Sequence, residues 1–183
     1  MNKQIKFVTK FYPFAKQAEI DTGINLEYIL ARHALESGWG LHCPGNMAFG
    51  IKADSSWQGE RQLLTTHEHF TDDKQGFRFP EVIKIEKKQT DTGQIYYDYT
   101  VKDWFRAYDS VADSYIDHTR FYFANSRYAK ALCVKSDAKA FAAAVNRAGY
   151  STGKNATKIL WSIIDTISGI IQRENLEATC KPK

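Results

Sequence analysis

The sequence is short of cysteine, of long apolar runs and of charge of one sign, and each shortage removes a class of protein. Its three cysteines, Cys43, Cys133 and Cys180, are odd in number and scattered, so they form neither a disulfide framework nor a CxxC metal pattern. Buried free thiols are the ordinary outcome for such residues; one bridge would join Cys43 to Cys133, because Cys180 stands in a polar tail. No window approaches eighteen consecutive apolar residues, so no membrane-spanning helix is expected. Met1 to Lys6 lead into Phe7 without an apolar signal core or cleavage site, so the expectation is a chain that is not Sec-exported as it stands. The five histidines show no metal-ligand spacing, and neither a metal nor a cofactor is expected. A net charge of +4 gives mild attraction to polyanions, among them nucleic acid, acidic lipid and the carboxylate-bearing bacterial wall, without choosing between them.

Aromatic residues, by contrast, are plentiful: ten Tyr and eleven Phe raise the aromatic share to 14%. Aromatics suit sugar faces, although most of them fill the core. The 43% hydrophobic and 25% charged fractions are those of an ordinary globular protein, and 183 residues suffice for a single domain over 1–183. A first helical region runs from Lys3 to Thr22, interrupted or restarted at Pro13 and closed by Gly23. Asn25 is the expected N-cap of the next helix, in which Tyr28, Ala31 and Leu35 recur at helical spacing until Gly38 and Gly40 break the pattern. From about 50 to 105 the signal turns to strands: Leu63–Thr66, Phe77–Phe79, Val82–Ile85 and Ile95–Val101, with Asp91-Thr92-Gly93 as a turn.

Helices return after Ser110, whose Asp113 completes a capping box, and run to about Phe123. Further helices are expected over Asp137–Ala148, capped by Ser136 and ended by Gly149, and over Ala156–Ile171, before a loose polar tail at about 174–183. Helices, a β-rich insert and helices again make an α+β domain.

One carboxylate is placed conspicuously. Glu36 lies in the last turn of the second helix, where the negative end of the helix dipole costs an ionised carboxyl roughly 0.3–1 kcal/mol. That bias favours the protonated form, as a general acid requires. A Ser, a Trp and two glycines follow it at once, and beyond them come Asn46, Phe49-Gly50-Ile51-Lys52 and Trp57 with Gly59. Irregular stretches of this kind carry function more often than compact helix ends do.

These pieces together resemble the peptidoglycan β-N-acetylglucosaminidases of glycoside hydrolase family 73, found in flagellar wall hydrolases, autolysins and some delivered toxins. The residues that carry the resemblance are Ala31 with Ala34-Leu35-Glu36-Ser37-Gly38-Trp39-Gly40, Asn46 with Phe49-Gly50-Ile51-Lys52-Ala53, Trp57 with Gly59, and Thr65-Thr66-His67-Glu68. Phe105-Arg106-Ala107-Tyr108 with Ser110, Arg127-Tyr128 with Ala131-Leu132, and Ala148-Gly149-Tyr150-Ser151-Thr152 complete the series. The match spans roughly Phe14 to Ile171.

The resemblance implies a lysozyme-like fold, with a mainly helical lobe and a small antiparallel β lobe flanking a substrate groove. It implies a hydrolase that cuts the β-1,4 bond between N-acetylglucosamine and N-acetylmuramic acid. Glu36 matches the general acid and Glu68 fits the second carboxylate, while Asn46, Trp57, Tyr108 and Tyr150 match substrate-binding positions and Phe105 a groove-shaping one. His69 stands where the family usually has Tyr, and the segment from Asp72 to Thr100 is longer than a minimal family β lobe, so Asp72, Asp73 and Glu60 are rival second carboxylates. Strand alternation places His67 and His69 on the face opposite Glu68.

Three alternatives stay open: a muramidase, a lytic transglycosylase, and a glycan-binding module without catalysis. The expected partners are peptidoglycan strands and, for a delivered effector, a cognate immunity protein, with no nucleic acid and no membrane insertion, and the chain is expected to be monomeric. Without an export signal it would reach the periplasm or wall by a specialised secretion system, by lysis, or from a longer precursor.

Overall fold

The computed structural model describes residues 2–151, 153 and 155–179. The chain forms two compact units: the described residues up to Phe49 and from Asp109 onward make one, and Gly50–Tyr108 the other. The first is helical. Its helices are α1 (Lys3–Thr22), α2 (Leu26–Ser37), α3 (Val111–Ala124), α4 (Ala129–Leu132), α5 (Ala138–Arg147), α6 (Ala156–Arg173) and α7 (Leu176–Thr179). Pro13 does not interrupt α1. Proline forfeits one backbone hydrogen bond, but Phe7, Val8, Phe11 and Tyr12 before it and Ala15 and Ala18 after it are all buried, so packing carries the helix through.

Helix α2 is enclosed on almost every side: Leu26 and every residue from Tyr28 to Ala34 are buried. Its N-cap is Asn25, whose Oδ1 accepts from the amides of Glu27 (2.8 Å) and Tyr28 (3.3 Å). Leu35, expected at the apolar spacing, is 38% exposed instead, because the helix emerges from the core in its last turn, where Glu36 is exposed as well. The helix ends on three successive left-handed residues, Gly38, Trp39 and Gly40. A Cβ on Gly40 would stand 3.0 Å from the Phe11 ring and 3.1 Å from that of Phe7, so glycine is required there on two counts. Ser37 ties the turn together, donating to the His33 carbonyl (2.6 Å) and accepting from the Gly40 amide (2.7 Å).

Other expected boundaries shift slightly. Helix α5 is capped by Asp137, which accepts from the Ala140 amide at 2.9 Å, and not by Ser136; the carboxylate lies within reach of the free amides of the first turn. The Ser110–Asp113 capping box is present on α3. Helix α6 runs on to Arg173, and the segment after it is not loose throughout, because α7 buries Leu176. Cys180 and the rest of the tail lie outside the described residues. Cys43 is half-buried and Cys133 exposed, and both are free thiols, so neither the bridge nor full burial is realised. Among the described residues no helix is long and apolar enough to cross a membrane.

The second unit is an antiparallel sheet of β1 (Arg61–Phe70), β2 (Glu81–Gln89) and β3 (Ile95–Arg106) in the order β1-β3-β2. Phe77–Phe79, expected as a strand, is a 3-10 turn over Gly76–Arg78 that leads into β2. Strand β1 alternates exposed and half-buried residues along its whole length. This puts His67 and His69 on the exposed face and Glu68, opposite Tyr99, on the other. His67 and His69 lie 3.6 and 3.3 Å from Asp98, a buried carboxylate that also pairs with Lys88.

Candidate active site

The environment of Glu36 is built from three helices and one turn of the helical unit. The α2 register sets Arg32 one turn before Glu36, and the guanidinium of this buried arginine donates to Glu36 Oε1. The cation also lies 4.1 Å from the centre of the Tyr150 ring, a cation–π contact. Burial opposes its charge, but Glu36 and the surrounding tyrosines outweigh that effect and hold the Arg32 pKa above its ordinary value. The negative helix end and this positive neighbour act on the Glu36 carboxyl with opposite sign. The side chain of Glu36 keeps 21% of its surface accessible.

Tyr150 arrives from the end of α5. The left-handed Gly149 turns the chain there, and the Tyr150 amide closes back onto the Val145 carbonyl at 3.3 Å. The Tyr150 hydroxyl then donates to Glu36 Oε1 at 3.3 Å. Burial and the neighbouring Glu36 raise the pKa of this phenol, so it is a neutral donor at any ordinary pH. Behind it, His118 Nε2 lies 3.3 Å from the Tyr150 hydroxyl and 3.0 Å from that of Tyr122, which in turn meets Tyr28 at 2.6 Å. The His118 ring stacks on Phe49 at 3.7 Å between centroids. Burial, with Arg32 and His33 nearby, lowers the His118 pKa well below the usual imidazole value.

Of the residues marked out in the sequence, Glu36 and Tyr150 are thus brought into contact. Asn46 belongs to the same unit, left-handed in conformation and donating to the Asp109 carbonyl at 3.0 Å.

The β unit holds the other named residues. Glu68 accepts from Lys52 Nζ at 2.7 Å, and the same ammonium lies 2.5 Å from Asp103 and 4.7 Å from the centre of the Phe105 ring. One lysine therefore joins two carboxylates on one face of the sheet. Trp57 donates its indole N–H to the Glu60 carbonyl at 2.8 Å and meets the edge of the buried Tyr108. The Arg106 guanidinium lies over the indole at 4.4 Å.

Among the rival carboxylates, Asp72 accepts from the Lys74 amide and the Gln75 side chain within its own turn, and Asp73 and Glu60 are exposed. Among the described residues no group of three His, Cys, Asp or Glu side chains is arranged to hold a metal ion.

Reading the sequence missed Arg32, His118 and Asp103. Arg32 carried a usable signal, its four-residue spacing from Glu36 on a helix. The other two carried none.

Residues 12–174 match the glucosaminidase family, described as mannosyl-glycoprotein endo-beta-N-acetylglucosaminidase. The peptidoglycan hydrolase FlgJ of Vibrio parahaemolyticus is 32% identical over 161 residues, which cover 84% of this chain and 44% of that protein. The chain therefore spans less than half the length of that relative. The structure of the glycoside hydrolase domain of Salmonella typhimurium FlgJ superposes with a TM-score of 0.69 at 25% identity, covering 98% of this chain and 96% of that one. A type VI secretion system effector–immunity complex from Pseudomonas protegens has a chain sharing the fold alone, with a TM-score of 0.52 at 17% identity over 93% of this chain and 94% of the other.

Proposed function

Because this chain belongs to the glucosaminidase family, we propose that it hydrolyses the β-1,4 bond on the reducing side of N-acetylglucosamine in peptidoglycan, with Glu36 as general acid. A glycosidic bond breaks when an acid protonates the leaving oxygen while a second group stabilises or attacks the oxocarbenium-like centre. The observation that carries the reading is the Glu36 carboxyl itself. It keeps accessible surface at the end of a buried helix, and Arg32 and Tyr150 both donate to its Oε1. Those two donors stabilise the carboxylate that appears as the proton leaves, which is where preorganised donors contribute most.

Glu68 is the proposed second carboxylate, as nucleophile, base, or orienting group for the substrate's own acetamido group. Its support is its match to the family motif and its ion pair with Lys52, which fixes the carboxylate on its strand. Trp57 is the proposed sugar platform, its indole oriented by the Arg106 guanidinium, the Tyr108 ring and the N–H bond to the Glu60 carbonyl. Asn46 is proposed to shape the binding surface. The fold shared with an effector–immunity complex supports a delivered hydrolase acting at the wall and countered by a cognate inhibitor protein; co-purification that captures no inhibitor from the same genome would count against that part.

Mass spectrometry of digested sacculi tests the reaction. Reducing-end N-acetylglucosamine is expected. Reducing muramic acid would show a muramidase and an anhydro sugar a transglycosylase, while binding without turnover that Glu36→Gln leaves unchanged would show a non-catalytic module.

A further inference from the structure

Buried polar atoms without partners are few in folded proteins, and one of them stands two hydrogen bonds from the proposed acid. His118 is fully enclosed, and its Nδ1 has no hydrogen-bond partner. Its Nε2 has two, the hydroxyls of Tyr122 at 3.0 Å and Tyr150 at 3.3 Å. We infer that His118 is a positioning residue acting through Tyr150: its single ring proton sits on Nε2, so that the Tyr150 oxygen accepts from the imidazole and the Tyr150 hydroxyl proton is turned onto Glu36 Oε1. This inference rests on the reading of Glu36 as the acid.

A neutral imidazole carries one N–H, on one nitrogen or the other, and His118 is held neutral by its burial. With the proton on Nδ1, a buried N–H would have no acceptor, which is the rarer and costlier kind of orphan. The bare Nε2 would also face the Tyr150 oxygen lone pair to lone pair, since the one hydroxyl proton of Tyr150 is already given to Glu36. With the proton on Nε2, both conflicts disappear. The one Nε2–H is then shared between the Tyr122 and Tyr150 oxygens, Tyr122 is free to donate to Tyr28, and the imidazole itself is left with a bare acceptor at Nδ1 in place of an orphaned N–H. Stacking on Phe49 within 4° of parallel keeps the ring from turning. When Glu36 surrenders its proton, the Tyr150 hydroxyl is already aimed at the oxygen that becomes charged, and no reorientation is needed at that moment.

Nitrogen-15 NMR of histidine-labelled wild-type protein reads the tautomer directly. The Nε2–H form is expected for His118, and an Nδ1–H form overturns the inference. Kinetics on purified peptidoglycan supply the second readout, through a cycle of His118→Phe, Tyr150→Phe and the double variant. His118→Phe is expected to lower kcat roughly 3- to 10-fold with KM within about twofold when Tyr150 is present, and to add nothing in the Tyr150→Phe background. His118→Gln, whose amide nitrogen reaches the place of Nε2, is expected to stay within about threefold of wild type, as replacing one donor by another should. Equal losses in both tyrosine backgrounds with no rescue by glutamine would mark His118 as merely structural and overturn the proposal. Should His118→Phe fail to fold, the tautomer and the His118→Gln rate decide. Full activity of Glu36→Gln would remove the acid from the mechanism, yet the tautomer would still report whether His118 orients Tyr150, so the two failures are separable.

Discussion

Glu36 and Glu68 are the same residue type in opposite settings. Glu36 stands at the end of a helix buried on almost every side, and its partners are a buried arginine and a phenol backed by a fully enclosed histidine. Glu68 stands on a strand whose residues alternate only between exposed and half-buried, and a half-exposed lysine pairs with it. The packing around them differs in the same direction. Helix α2 encloses Tyr28, Ile29 and Leu30 completely, whereas in the sheet only Tyr99 and Val101 of β3 are enclosed to that degree and Val82, Ile83 and Ile85 of β2 are between 37% and 49% exposed. A dense core fixes a side chain's rotamer and its partners, and a thin sheet leaves them adjustable. The proposed acid thus stands on the more deeply packed of the two elements.

Substitution at the proposed acid is the sharpest way to break this contrast. Glu36→Gln should lower kcat on peptidoglycan by about 10²–10⁴-fold, and it should also lower Tm because it removes the counter-charge of the buried Arg32; a variant with near-normal turnover would remove Glu36 from the mechanism. The contrast in packing is measured by urea unfolding. Leu30→Ala, in a fully buried position, should cost about 2–5 kcal/mol. Ile83→Ala, at a position 49% exposed, should cost less than about 1 kcal/mol, and equal costs would deny that the two units differ.

For the proposed second carboxylate, Glu68→Gln is expected to reduce kcat about 10- to 100-fold, within the range of a general base or orienting group. Asp72→Asn, Asp73→Asn and Glu60→Gln should each stay within about twofold of wild type, and a larger loss at any of the three would transfer the role to it.

The contrast also has a signature in stability against pH. Burial, then Lys10, lowers the His33 pKa to about 3, and burial holds that of His118 well below its usual value. In the unfolded chain both titrate near 6.5. Below about pH 6.5 the unfolded state therefore binds protons that the folded state refuses, and stability falls as pH drops from there toward 3. The slope approaches about 1.4 kcal/mol per pH unit for each histidine. A melting temperature that is flat between pH 7 and 4 would contradict the burial of these rings.

Much of the helical unit could be read along the chain because its signals are local. Asn25, Gly38, the Ser110–Asp113 box and Gly149 each act within one turn of the element they bound, and all four serve as expected. The misreadings come from context beyond that turn. Pro13 was overridden by apolar contacts on both sides of it, Ser136 lost the cap to the neighbouring carboxylate of Asp137, and Phe77–Phe79 had aromatic strand composition but closed into a turn. Leu176 shows the same limit, since a single apolar residue in a polar tail gives no period from which burial can be inferred.

The sequence by itself determined that a helix runs from Leu26 to Ser37, that glycines end it, and that a glutamate occupies its last turn; backbone propensity and capping act over a few residues and are written in them. Only the tertiary structure decided what that glutamate meets. Tyr150 reaches it across 114 residues of chain and His118 reaches Tyr150 across 32, distances over which no periodicity or cap carries information. Packing of the helices brings these groups together, because most polar atoms taken out of water find a partner among the side chains packed around them.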